Sequence, residues 1–125
     1  MLLGNVDATA TLAVKDLGAA KKFYQDKLGL TPVDDSEELV VFKSGNTTIN
    51  VYHSEYAGTN QATALTWEVD DVEKEVRELK SKGVHFEHYD GLHGLKRQGD
   101  VHIGEGVKVA WFKDPDGNIL NLISE

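Results

Sequence analysis

At 125 residues, with 40% hydrophobic content and only two prolines, the chain suits one folded domain that buries roughly two-thirds of its unfolded surface, and disorder is excluded. It has no cysteine, which rules out disulfides, thiolate zinc sites and cysteine nucleophiles. Thirteen basic residues against twenty-one acidic ones give a formal charge of -8, which argues against nucleic acid or an anionic membrane as partner and favours neutral or cationic ligands.

In chain order, Met1-Leu2-Leu3-Gly4 is too short and uncharged for a signal peptide, and no apolar run approaches membrane length; a cytoplasmic protein is the expectation. Ala8–Val14 alternates as a strand does. With Leu12 and Val14 inward, Thr9, Thr11 and Ala13 share the opposite face. Asp16 is placed to cap a helix whose apolar side comprises Leu17, Ala20, Phe23 or Tyr24, and Leu28, and Gly29 ends it. Strands follow over Leu30–Val33, Leu39–Lys43 and Thr47–His53, the last two joined by the turn residues Ser44-Gly45-Asn46.

Ser54–Gln61 has few large apolar side chains and reads as a linker. Thr63–Val69 is the next strand. Asp70 or Asp71 caps a second helix with Val72, Val76 and Leu79 as its apolar stripe and Glu73–Arg77 and Glu78–Lys82 as pairs on its wet side, before Gly83 stops it. Strands are expected over Val84–Tyr89, Val107–Phe112 and Ile119–Ile123, with Asp114-Pro115-Asp116-Gly117-Asn118 as the turn into the last. Asp90–Gly106, rich in glycine, histidine and charge, is the longest irregular segment, with a short strand around Val101–Ile103; loops of that length often carry function.

Two halves, about residues 5–54 and 62–125, thus repeat strand–helix–three strands within one domain. The intervals Asp16–Gly29 and Asp71–Gly83 differ by a single residue. Without regular β-α alternation the class is α+β: two βαβββ modules forming curved mixed sheets around a cleft. Leu12-Ala13-Val14-Lys15-Asp16-Leu17 with Phe23-Tyr24 and Leu28-Gly29-Leu30, then Trp67-Glu68-Val69-Asp70-Asp71-Val72, then Phe112 through Asn118, resemble in order and spacing the vicinal oxygen chelate superfamily. That superfamily includes glyoxalases, extradiol dioxygenases, fosfomycin-resistance transferases and bleomycin-binding proteins. The short, single-domain glyoxalase-like and bleomycin-resistance-like members are the nearest in pattern.

The resemblance places the metal-ligand positions of metal-dependent relatives on Thr9, Asn50, Ala64 and Asn121. None offers imidazole or carboxylate, so loss of the usual metal site is expected, and no cofactor with it. A replacement divalent-metal site could use His88, His93 and His102 if the loop closed over the cleft; the alternative is solvated or core-edge histidines. Glu68 shares strand parity with Ala64 and Thr66 and is the candidate catalytic base; otherwise it is a surface carboxylate. Asp114 and Asp116 read as turn residues. Parity puts Trp111 on the cleft face and Trp67 on the helix face.

The function expected is binding of a small organic ligand by a homodimer, as in the bleomycin-binding branch, with Thr9, Thr11, Asn50, Tyr52, Ala64, Thr66, Trp111 and Asn121 lining the cleft. The alternative is a glyoxalase-like lyase or isomerase, or a dioxygenase, either metal-independent or using the histidine loop.

Overall fold

Asp16 and Asp71 each start a helix by the same device. In the computed structural model, which describes residues 3–5, 7–92 and 94–125, the Ala19 amide donates to Asp16 Oδ1 at 3.0 Å and the Lys74 amide donates to Asp71 Oδ1 at 3.2 Å. Each carboxylate satisfies an N–H that the first helical turn leaves without a partner. Helix α1 spans Leu17–Lys22 and α2 spans Val72–Ser81. Gly29 and Gly83, at φ 77° and 90°, turn the chain out of the helical segments through a region that residues with a Cβ rarely adopt.

α1 passes into a wider π-type turn over Phe23–Lys27, in which the Leu28 amide reaches back to the Phe23 carbonyl at 3.1 Å. The wider turn carries an extra residue. The choice between Phe23 and Tyr24 as the apolar position therefore resolves as both: Phe23 and Tyr24 are buried together, their rings edge to face at 5.3 Å.

Strands β1 (Ala10–Val14), β2 (Thr31–Asp35), β3 (Leu39–Ser44) and β4 (Thr47–His53) form one sheet in the order β1-β4-β3-β2. The second sheet contains β5 (Thr63–Glu68), β6 (Phe86–Glu87), β7 (Lys96–Gln98), β8 (Val101–Gly104), β9 (Val107–Lys113) and β10 (Ile119–Ser124), in the order β5-β10-β9-β8-β7, with β6 also paired to β9. The two share one plan: β1 runs parallel to β4 as β5 does to β10, and each last strand is antiparallel to the one before it. The α+β class expected from the sequence is the class observed. Among the described residues no helix is long and apolar enough to cross a membrane.

Three local expectations need correction. Of Val84–Tyr89 only Phe86–Glu87 pairs as a strand, against Phe112 and Trp111. The segment Asp90–Gly106 is less irregular than its composition suggests, because β7 and β8 form a hairpin that widens the sheet. Lys96-Arg97-Gln98 has no apolar alternation to betray a strand; it is an exposed edge strand held by backbone pairing, and charged side chains suit such an edge. Finally, Glu73 and Lys82 turn to tertiary partners in place of Arg77 and Glu78. Lys108 Nζ donates to Glu73 Oε1 at 2.7 Å, and Lys82 Nζ to the Asp26 carbonyl at 3.4 Å.

One core joins the halves. Leu12, Val14, Phe42 and Val51 from the first sheet meet Val72 and Val76 of α2 and Phe112 and Leu120 of the second sheet. The Phe23 ring lies 6.4 Å from Phe112, and Tyr24 lies 5.9 Å from Phe42. Each sheet thus commits one face to the core; the other face of the first sheet is largely exposed, while that of the second, which carries Trp111, also buries His102, Val109 and Asn121. Polar links cross the same boundary: Asn118 Nδ2 donates to the Ala13 carbonyl at 2.8 Å, and the Lys15 amide donates to Asp116 Oδ1 at 3.0 Å.

Candidate functional site

Strand register assigns the open faces residue by residue. In the first sheet Thr11 pairs with Asn50 and Ala13 with Tyr52, while the intervening Leu12–Val51 pair is buried. Thr9 Oγ1 lies 3.3 Å from Thr48 Oγ1 on that same outer face. In the second sheet Thr66 pairs with Asn121, and Asn121 with Trp111. The pair Thr11–Asn50 therefore has a counterpart in Thr66–Asn121. Thr9, Thr11, Tyr52, Ala64 and Thr66 are exposed, Asn50 and Trp111 half-buried, and Asn121 buried. Four of the eight candidate ligand-binding residues stand on each sheet.

Trp111 lines a recess on the open face of the second sheet. Its Nε1 donates to Thr63 Oγ1 at 3.0 Å. The rings of Tyr89 and His102 meet it edge to face, at 5.3 Å and 4.9 Å. These contacts fix the indole as one wall of a groove of about 530 Å³, whose other walls include Gly58, Asn60, Thr63, Leu92 and Lys113. No residue of the first sheet lines it. Of the other candidates on this sheet, Ala64, Thr66 and Asn121 share the open face but lie outside the groove's wall.

Sequence reasoning missed much of this wall. Residues 58–62 read as a linker because they lack large apolar side chains, yet they close one side of the groove. Gly58 is the signal that could have found them. Its φ is +74°, and a Cβ there would stand 2.2 Å from the Asp116 carbonyl oxygen, so only glycine lets the linker lie against the Asp114–Asn118 turn. Asn60 then shapes the segment, donating from Nδ2 to the Ala62 carbonyl at 3.0 Å and accepting the Ala62 amide at 3.1 Å.

The histidine alternative divides. His102 is 1% exposed. The Tyr89 amide can only donate, so His102 Nε2 accepts it, at 2.9 Å, and Nδ1 carries the proton toward the Val109 carbonyl at 3.3 Å. Burial holds its pKa below the ordinary histidine value, against an opposing pull from the Val109 hydrogen bond. Both nitrogens serve the backbone, so His102 braces Trp111 and has no lone pair to spare. His88 Nε2 lies 2.8 Å from Asp100 Oδ1, on the carboxylate that also accepts Lys80 Nζ at 2.7 Å. His93 lies outside the described residues. Among those described, no three histidine or carboxylate side chains form a group able to hold a metal ion.

The family-type metal positions do not fit a divalent metal either. Ala64 has no donor atom, the Thr9 hydroxyl lies 3.3 Å from Thr48 Oγ1, and the neutral amides of Asn50 and Asn121 are weak donors beside imidazole or carboxylate. Asn121 Oδ1 is buried and has no hydrogen-bond partner among the described residues. Glu68 is exposed, opposite Ile123 on the open face, in a separate depression with Asp70 and Ser124; it does not line the Trp111 groove. Trp67 lies on the other side of the sheet, stacked 6.3 Å from Phe112 with Nε1 donating to Ser44 Oγ at 3.0 Å.

Similar folds occur in several solved structures. The chain aligns with the genomically encoded fosfomycin resistance protein FosX from Listeria monocytogenes at TM-score 0.73 and 16% identity, covering 100% of this chain and 95% of that one. It aligns with lactoylglutathione lyase from Agrobacterium tumefaciens at TM-score 0.71 and 20% identity, covering 96% and 93%. With a bleomycin-binding protein complexed with bleomycin the TM-score is 0.68 and the identity 22%, covering 95% and 98%. At these identities the likeness shows the fold. No curated protein sequence matches the chain. The family model for glyoxalases matches residues 6–122, and the chain belongs to the glyoxalase/bleomycin resistance protein/dioxygenase superfamily.

Proposed function

We propose that the protein binds a planar small organic molecule against Trp111 and performs no chemistry on it. The observation that carries this reading is the indole itself: half-buried, tied at Nε1 to Thr63, braced edge-on by Tyr89 and His102, and facing a groove of about 530 Å³. A rigid aromatic wall with a few polar groups around it suits stacking recognition. Thr9, Asn50, Ala64 and Asn121 support a site without a metal, since none brings imidazole or carboxylate. Glu68, the candidate base, stands away from the groove.

The protein acts as a homodimer on this reading. β1 and β5 each have one strand neighbour, and the Trp111 groove takes no residue from the first sheet. A second copy would cover those edges.

Tryptophan fluorescence tests the site. Planar heteroaromatic compounds, and bleomycin as a larger test ligand, should change the emission of wild type and of Trp67→Phe, and largely fail to do so in Trp111→Phe, with weaker binding by calorimetry. Compounds that bind should be recovered unchanged. Turnover in wild type that disappears in Glu68→Gln would replace the binder with a metal-independent lyase or isomerase.

A further inference from the structure

The face of the second sheet opposite Trp111 holds another recess. It lies between the halves, where the Leu28–Leu30 segment passes α2, and has a volume of about 130 Å³. Its walls are apolar, chiefly Leu30, Trp67, Leu79, Phe112 and Leu122, and among the described residues its only ionisable lining group is Glu75. A dry cavity of about 150 Å³ is known to accept benzene, which sets the scale of guest that a recess of this volume can hold. Trp67, Val69, Leu79 and Glu75 are each half-buried, so the recess reaches the surface.

Glu75 decides the chemistry of the guest. Its neighbour in the first turn of α2, Glu73, is paired with Lys108. Among the described residues Glu75 makes no ion pair and no side-chain hydrogen bond. A free carboxylate beside an apolar wall and an indole complements an ammonium group. The carboxylate accepts its hydrogen bonds, and an aromatic face attracts its charge. The overall charge of -8 disfavours an anion in the same place.

We infer that this recess is a second binding site, for a primary ammonium carried on a six-membered ring or a short alkyl chain. It is independent of the Trp111 groove, because Trp67 and Trp111 belong to opposite faces of the sheet. Benzylammonium is the probe, with benzyl alcohol and phenylacetate as its neutral and anionic counterparts.

Calorimetry should detect millimolar or tighter binding of benzylammonium, weaker binding of benzyl alcohol and none of phenylacetate. Glu75→Gln, nearly isosteric at a half-buried position, should weaken benzylammonium by about tenfold or more, the effect of losing one charge-assisted hydrogen bond. In an NMR titration the Trp67 indole N–H should shift and that of Trp111 should not. Equal affinity for benzyl alcohol and benzylammonium, unchanged affinity in Glu75→Gln, or a shift confined to Trp111 would each overturn the assignment. So would the absence of binding in a dimer whose second copy covers the recess.

Discussion

The Tyr24 hydroxyl donates to Asp114 Oδ2 at 2.7 Å, joining residues 90 apart in the chain. Tyr24 belongs to the first half and Asp114 to the turn of the second, and both are buried. The same carboxylate closes its own turn, accepting the amides of Asp116 and Asn118 at Oδ1 and Asn118 Nδ2 at Oδ2. A turn with a local role in the sequence is therefore also the clip between the halves.

Tyr24→Phe should cost about 2 kcal/mol, since it removes a hydrogen bond to a charged acceptor in the core. The urea midpoint should fall with the m-value unchanged. Burial first, and then the charge of Asp114, push the Tyr24 pKa above the ordinary phenol range. Its stabilisation is therefore complete below the unfolded value and declines as pH rises past about 10, because the unfolded chain gives up the proton first. The alkaline loss of stability should be shallower in Tyr24→Phe; equal slopes would remove Tyr24 from the linkage.

Gly58→Ala should destabilise the protein by about 1–3 kcal/mol, through a positive φ and a clash with the Asp116 carbonyl. Thermal denaturation would read the loss. Because residues 58–62 wall the groove, ligand affinity should fall in the same variant even at temperatures where it remains folded. A fully stable Gly58→Ala would mean that the linker does not sit against the turn.

Asp100 has its pKa lowered, first by the hydrogen bond from Lys80 and then by that from His88. A depressed folded pKa stabilises above the unfolded value and loses that contribution as pH falls through the folded one. Asp100→Asn should thus lose about 1 kcal/mol near neutral pH, given partners that remain largely exposed. Below about pH 4 the difference between variant and wild type should shrink. A constant difference down to acid unfolding would point to packing in place of charge.

Sedimentation at micromolar concentration should give twice the 13.8 kDa mass of the chain. A monomer there would require one chain to supply the whole binding site.

Elemental analysis after exchange into metal-free buffer should find far less than one equivalent of zinc, iron, nickel or manganese. One tightly held equivalent, lost in His88→Ala, would return the histidine loop to consideration.

Much of the fold is legible along the chain because its causes are local. Asp16 and Asp71 cap because a short carboxylate reaches an amide three residues on. Alternation separates Trp67 from Trp111, because a strand sends successive side chains to opposite faces. Tertiary structure decided the rest. Tyr24 reaches Asp114, His102 spends both nitrogens on the backbone, and the plain-looking linker at Gly58 becomes a wall of the groove. Each of these depends on segments far apart in sequence arriving in register, a condition that no local pattern encodes. The eight candidate cleft residues show the division most directly. The family resemblance and strand parity together put them on open faces, four in each half of the chain, and tertiary structure decided that of the eight only Trp111 lines the groove.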